Sequence, residues 1–92
     1  MFRLLSRFRA WQARRREAAA VAIRCFEAQT GGRGDPRTTY VIHEDAAGYV
    51  VRVCHGDARP PHRAWVWVAA DFAHSRVLTF AEVEPLGERP NR

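Results

Sequence analysis

Apolar residues recur along the first third of the chain with the period of an α-helix. Leu4, Leu5, Phe8, Trp11, Ala19, Ala22, Ile23 and Phe26 share one side of a helical wheel. Arg3, Arg7 and Arg14 lie opposite, and Glu17 and Arg24 stay off the apolar side. Good helix formers, chiefly Ala, Arg, Glu and Gln, occupy the positions between. Arg15 alone intrudes on the stripe, where its stem lies along apolar surface while its head reaches water. The pattern predicts one long helix that ends at TGGRGDP, because Gly31 and Gly32 suit a left-handed cap and Pro36 cannot continue it.

Beyond that stop the period becomes two. Residues 38–44, 49–55, 64–70 and 76–84 read as strands, joined by a turn at 45–48, a Gly- and Pro-rich loop at 56–63 and a tight connection at 71–75. In the second strand Tyr49, Val51 and Val53 face one way and Arg52 the other. The predicted fold class is α+β, one long N-terminal helix packed on a four-stranded antiparallel meander sheet.

Length then divides the chain. A strand of six or seven residues spans roughly 20–23 Å, which a helix covers with about 14 residues. Residues 17–30 suffice for that, so residues 1–16 read as a basic amphipathic extension of the helix. Residues 17–84 form the α+β core domain and 85–92 a flexible tail. Phe8 and Trp11 then lack a partner inside the domain. The extension must bend back, pair with another copy or meet something else.

Charge sharpens this. Residues 1–30 carry seven Arg against Glu17 and Glu27, whereas residues 31–92 carry eight Arg against eight acids, so the whole net charge of +5 belongs to the first third. The chain has no Lys, and Arg suits interfaces because its planar fork pairs and stacks. An acidic protein, nucleic acid or an anionic membrane surface is the partner such a segment calls for. No run approaches the roughly 20 apolar residues of a membrane span, and arginines interrupt any signal-peptide core. Cys25 and Cys54 lie in apolar stretches and read as buried thiols, which together place the protein in the cytoplasm.

Catalytic chemistry finds little footing. Cys54, His55, His43, His62 and His74 are potential metal ligands, but no CxxC or HxxxH pair occurs, and adjacent Cys54 and His55 face opposite sides of a strand. Cys54 with a histidine, or Ser75 with His74, lacks a nucleophile elbow. GGRGD (31–35) follows a helix and has no Lys-Ser or Lys-Thr after it, so it reads as cap and turn. No enzyme, metal or cofactor is expected. Trp65 and Trp67 alternate with Val66 and Val68. Either the indoles face the helix as core, or the valines do and the indoles form an exposed aromatic patch.

The segment GYVVRVCHGDARPPHRAWVWVAADFAHSRVLTF (48–80) resembles small bacterial immunity proteins with a cystatin-like or nuclear-transport-factor-like fold. Ala18–Phe26 is similar to their alanine-rich helix, Tyr49–Val53 to their second strand, and Asp71 with Val77 and Leu78 to the final turn and strand. The chain departs from the pattern at HRA, where a glycine pair is usual, and at AHSR, where Thr-Gly is usual. The resemblance implies stoichiometric neutralisation of a toxin protein without catalysis.

The function expected is therefore that of a small non-catalytic binding protein that inhibits or neutralises a partner protein. An immunity protein is one version and a phage-encoded inhibitor of a host defence complex another. Arg3, Arg7, Phe8, Trp11, Arg14, Arg15, Trp65 and Trp67 are the candidate binding residues, and a homodimer through the helix extension is a further expectation. The alternative is a nucleic-acid- or anionic-surface-binding protein acting through the same Arg-rich helix.

Overall fold

The predicted helix is a single unbroken one, α1 (Phe2–Thr30), of 29 residues. The structure is a computed structural model and describes residues 2–56 and 61–91. Half of the expected 56–63 loop, residues 57–60, lies outside the described residues. Gly31 ends α1 by turning left-handed, with φ at 74°, and its N–H donates to the Glu27 carbonyl at 2.9 Å. The chain then crosses onto the sheet. Gly34 bridges to His55, and a Cβ there would stand 2.7 Å from Val53 Cγ1, so no larger residue fits this approach. Asp35 accepts from the Arg37 N–H at 2.8 Å and caps the short 3₁₀ turn Pro36–Thr38.

Four strands follow in meander order: β1 (Tyr40–Glu44), β2 (Gly48–His55), β3 (His62–Ala69) and β4 (Ser75–Leu78). All neighbours are antiparallel, and the register pairs Val51 with Val66 and Val66 with Val77. β1 pairs only with β2 and is irregular between Val41 and His43, which bulges this edge.

Period two now sorts the side chains. Tyr49, Val51, Val53, Val66 and Val68 point to one face and are sealed there by Ala18, Ala22, Cys25 and Phe26 of α1. Small alanines let the helix approach closely while the valines fill the space between, an interdigitation that burial of β-branched side chains favours. Ala18 is the first described helix residue to be fully buried. Everything before Arg15 projects past the sheet, which gives the molecule extents of 45 × 24 × 24 Å.

The opposite face departs from expectation. The fourth strand stops at Leu78, and residues 80–83 turn into a short helix, α2 (Phe80–Val83). Thr79-Phe-Ala-Glu82 explains the change: the Glu82 carboxylate reaches back to the Thr79 N–H at 3.0 Å and hydroxyl at 3.2 Å. α2 folds back over the sheet, so Val83 is fully buried against Val50 and Trp65, with Ile42, Trp67, Leu78 and Phe80 around them. Residues 85–92, expected as a flexible tail, are stitched to β3 as far as they are described. Asn91 accepts from the Arg63 N–H and donates to the Arg63 carbonyl, both at 2.7 Å. It stands in for the strand neighbour that β4, which reaches only to Trp65, does not supply there.

Candidate binding site on the overhanging helix

Of the eight residues expected to bind a partner, six cluster on the overhang and two do not. Val66 and Val68 face α1, yet the indoles on the other side form no exposed patch. Trp65 is 4% exposed, packed on Phe80 with ring centroids 5.8 Å apart, and its Nε1–H donates to Glu88 at 2.6 Å. Glu88 also faces Arg52 at 3.4 Å. Trp67 is half-buried beside the same cluster. Both arrangements weighed from sequence left out the C-terminal segment, which covers this face.

The overhang is different. Leu4, Leu5, Phe8 and Trp11 are 72, 52, 53 and 43% exposed. Residues 4, 8, 11, 15, 18 and 22 follow one another at alternating four- and three-residue steps, so the stripe continues the row that meets the sheet. The helix does not bend back to bury it. Instead its base is fixed at one point. Arg15 donates to Glu44 Oε1 at 3.0 Å and to the Val41 carbonyl at 3.0 Å, and Trp11 Nε1–H donates to the same Glu44 oxygen at 3.1 Å. The Arg15 guanidinium lies 4.5 Å from the Trp11 ring centroid, a cation–π contact, and Phe8 leans on Trp11 at 6.0 Å. Leu4, Leu5 and Phe8 beyond this anchor remain in solvent.

Arginines flank that apolar row and do not stand squarely opposite it as expected, Arg3, Arg7 and Arg14 on one side and Arg9 and Arg16 on the other. Among the described residues Arg3, Arg7, Arg9, Arg14 and Arg16 form no ion pair, while Arg15 is held by Glu44 and Arg24 by Glu17. Arg9 and Arg16, outside the expected set, are as exposed as Arg3, and the run of arginines in the sequence already signals them. Trp11 and Arg15, both bonded to Glu44, tie the base of the overhang to the end of β1. The result is an inside corner, with the overhang as one wall and the sheet end carrying Glu44 and Asp45 as the other. Asp45 is itself occupied, accepting from the Gly48 N–H, from His43 and from the Ala47 N–H, which hold its carboxyl below the usual range.

Next to the corner lies a groove of ≈580 Å³ between α1 and the 36–41 segment. Ala19, Ala20, Ile23, Pro36, Tyr40 and Val41 give it an apolar lining, and Arg15 and Arg16 stand at its overhang end. It joins segments far apart in the chain, so sequence spacing gave no sign of it.

Of the candidate chemical residues, His55 and His62 pair across β2 and β3 with ring centroids 5.9 Å apart, but they gather no third ligand among the described residues. His55 packs against Phe26 on the helix side of β2, with ring centroids 4.7 Å apart and planes tilted by 37°, whereas Cys54 opposes Arg63 and points the other way. Cys25 is buried and accepts from Gln29, Cys54 is half-buried, and both are free thiols. No three His, Cys, Asp or Glu gather into a metal-binding group among the described residues. No helix there is long and apolar enough to cross a membrane.

Compared with known protein families, curated proteins and solved structures, the chain matches none.

Proposed function

We propose that this protein is a small non-catalytic binding protein that inhibits or neutralises a partner protein by occupying an acidic surface of it. The observation that carries this reading is the overhang: three large apolar side chains exposed to water on one helix, among five arginines that form no ion pair with another described residue. A folded chain gains nothing by exposing such a row, whereas an interface uses it directly, apolar anchors in the centre and charges at the rim. Binding of this kind acts by occlusion, as the resemblance to immunity proteins also suggests. Two free thiols suit a reducing, cytoplasmic setting.

The nucleic-acid reading uses the same arginines and is separated by one experiment. Wild-type protein and the Phe8→Ala/Trp11→Ala variant are used as bait in source-cell lysate treated with nuclease. One protein retained in stoichiometric amount by the wild type and lost by the folded variant supports the proposal. Retention that vanishes with nuclease overturns it in favour of nucleic acid, as would a salt dependence near −0.9 per phosphate contact on a log–log plot for duplex DNA.

A further inference from the structure

Resting on the reading of an acidic protein partner, we infer that the partner presents an acidic amphipathic α-helix, which lies along α1 from the overhang into the neighbouring groove. Four exposed apolar side chains are too few by themselves, because a stable interface engages about 20–30 residues a side. A second row along α1 supplies the rest. Residues 5, 8, 12, 16, 19 and 23 step by three or four, so Leu5, Phe8, Gln12, Arg16, Ala19 and Ile23 form one continuous track. Its first three members lie on the overhang and its last three line the groove. The track is about 27 Å long at 1.5 Å per residue, the length of a five-turn helix.

Shape selects among occupants. The exposed stripe and the buried residues lie on the same side of α1, and the body is 24 Å deep. A flat bilayer approaching the stripe would strike the sheet before lying along it, whereas a rod about 10 Å wide enters the corner. An added strand is also poorly accommodated: β1 is bulged after Val41, and the Val41 carbonyl is taken by Arg15. Charge then selects the sign, because the two acids on the corner's other wall are already engaged, Glu44 by Arg15 and Trp11 and Asp45 by His43 and its own turn. The groove lining holds Arg15 and Arg16 and no acid, and Arg9 borders the track above it. A second copy would bring six more arginines, and no acid, within residues 2–16 against these. An acidic helix places carboxylates beside Arg9 and Arg16, which form no ion pair among the described residues.

The test uses the full chain and two synthetic 21-residue peptides of identical Leu, Glu and Ala composition. One has leucines in a heptad pattern and the other is scrambled. Binding is followed by amide chemical shifts and by titration. The inference expects the patterned peptide to bind at least tenfold tighter and to shift Ile23, Ala20 and Tyr40 together with Phe8 and Trp11. Ala20→Glu, which puts a carboxylate at the groove rim, weakens it tenfold or more, and Ala20→Arg does not. Equal binding of both peptides overturns the helix and leaves the acidic-partner reading standing. Failure of both peptides overturns the two together, and so does preference for anionic phospholipid vesicles, duplex DNA or self-association under the same conditions.

Discussion

Phe72 holds φ at 63° in the turn after β3, a left-handed conformation that a non-glycine residue adopts at a cost of about 1–2 kcal/mol. Its ring explains why it is kept there: it stacks on buried Tyr49 at 5.9 Å with 13° between the planes, closing one end of the core. Phe72→Ala keeps the strain and loses the ring, whereas Phe72→Gly loses both. In urea unfolding the alanine variant is therefore the less stable of the two, by about 1 kcal/mol. Trp65 gives the second test at this scale. Read from sequence it was a candidate for partner binding, but its indole is packed under α2 with its N–H on Glu88. Trp65→Ala costs about 3–5 kcal/mol of folding stability, as removal of a large buried ring does. Glu88→Ala costs less, about 1–3 kcal/mol, by leaving the indole N–H and Arg52 without their acceptor. Thermal and urea melts of the two variants separate these contributions.

Among the elements, α1 was the most legible because its signal is long: many positions agree on one period, and glycines mark its end. The strand period also revealed Tyr49, Val51 and Val53 as one face. Sequence did not reveal α2. Four residues are too few to show a helical period, and only the Thr79–Glu82 capping pair announced it. The groove was equally hidden, because Ile23 and Tyr40 meet only once the strands have paired. What the overhang does for stability follows from its exposure. Replacing Leu4 by Ser changes the unfolding free energy by no more than about 0.5 kcal/mol, since it is 72% exposed. A loss of several kcal/mol in the same melt would mean that residues before Arg15 belong to the core.

For the whole molecule, acid is the weakness. Burial against Phe26, and then the charge of His62, lower the His55 pKa below 6.5, so the fold favours neutral His55. That contribution is complete above pH 6.5 and is lost as pH falls below it. Glu82, held by Arg76 and the Thr79 backbone, titrates at about 2 instead of 4.5, and its contribution is lost between those values. The melting temperature is thus expected to be level above pH 7, to dip below 6.5 and to fall again below 4.5. His55→Phe should remove the first dip and leave the second; a dip that survives in this variant would place the titrating group elsewhere. Net charge and its concentration in the first third were fully legible from the sequence. What they face was not, because the anchor that aims the overhang joins Arg15 to Glu44, 29 residues away.

That anchor has a consequence for how the basic segment behaves in isolation. Starting a helix fixes several residues for a single hydrogen bond, and a segment of about 15 residues in water meets that cost poorly. In the intact chain the helical turns from Arg15 onward are already held by the sheet, so the preceding residues only extend an existing helix. The domain is in this sense a nucleus for its own N-terminal segment. A free peptide of residues 2–16 carries every arginine and apolar side chain of the overhang but would spend much of its time unwound, and it would compete weakly with the intact protein.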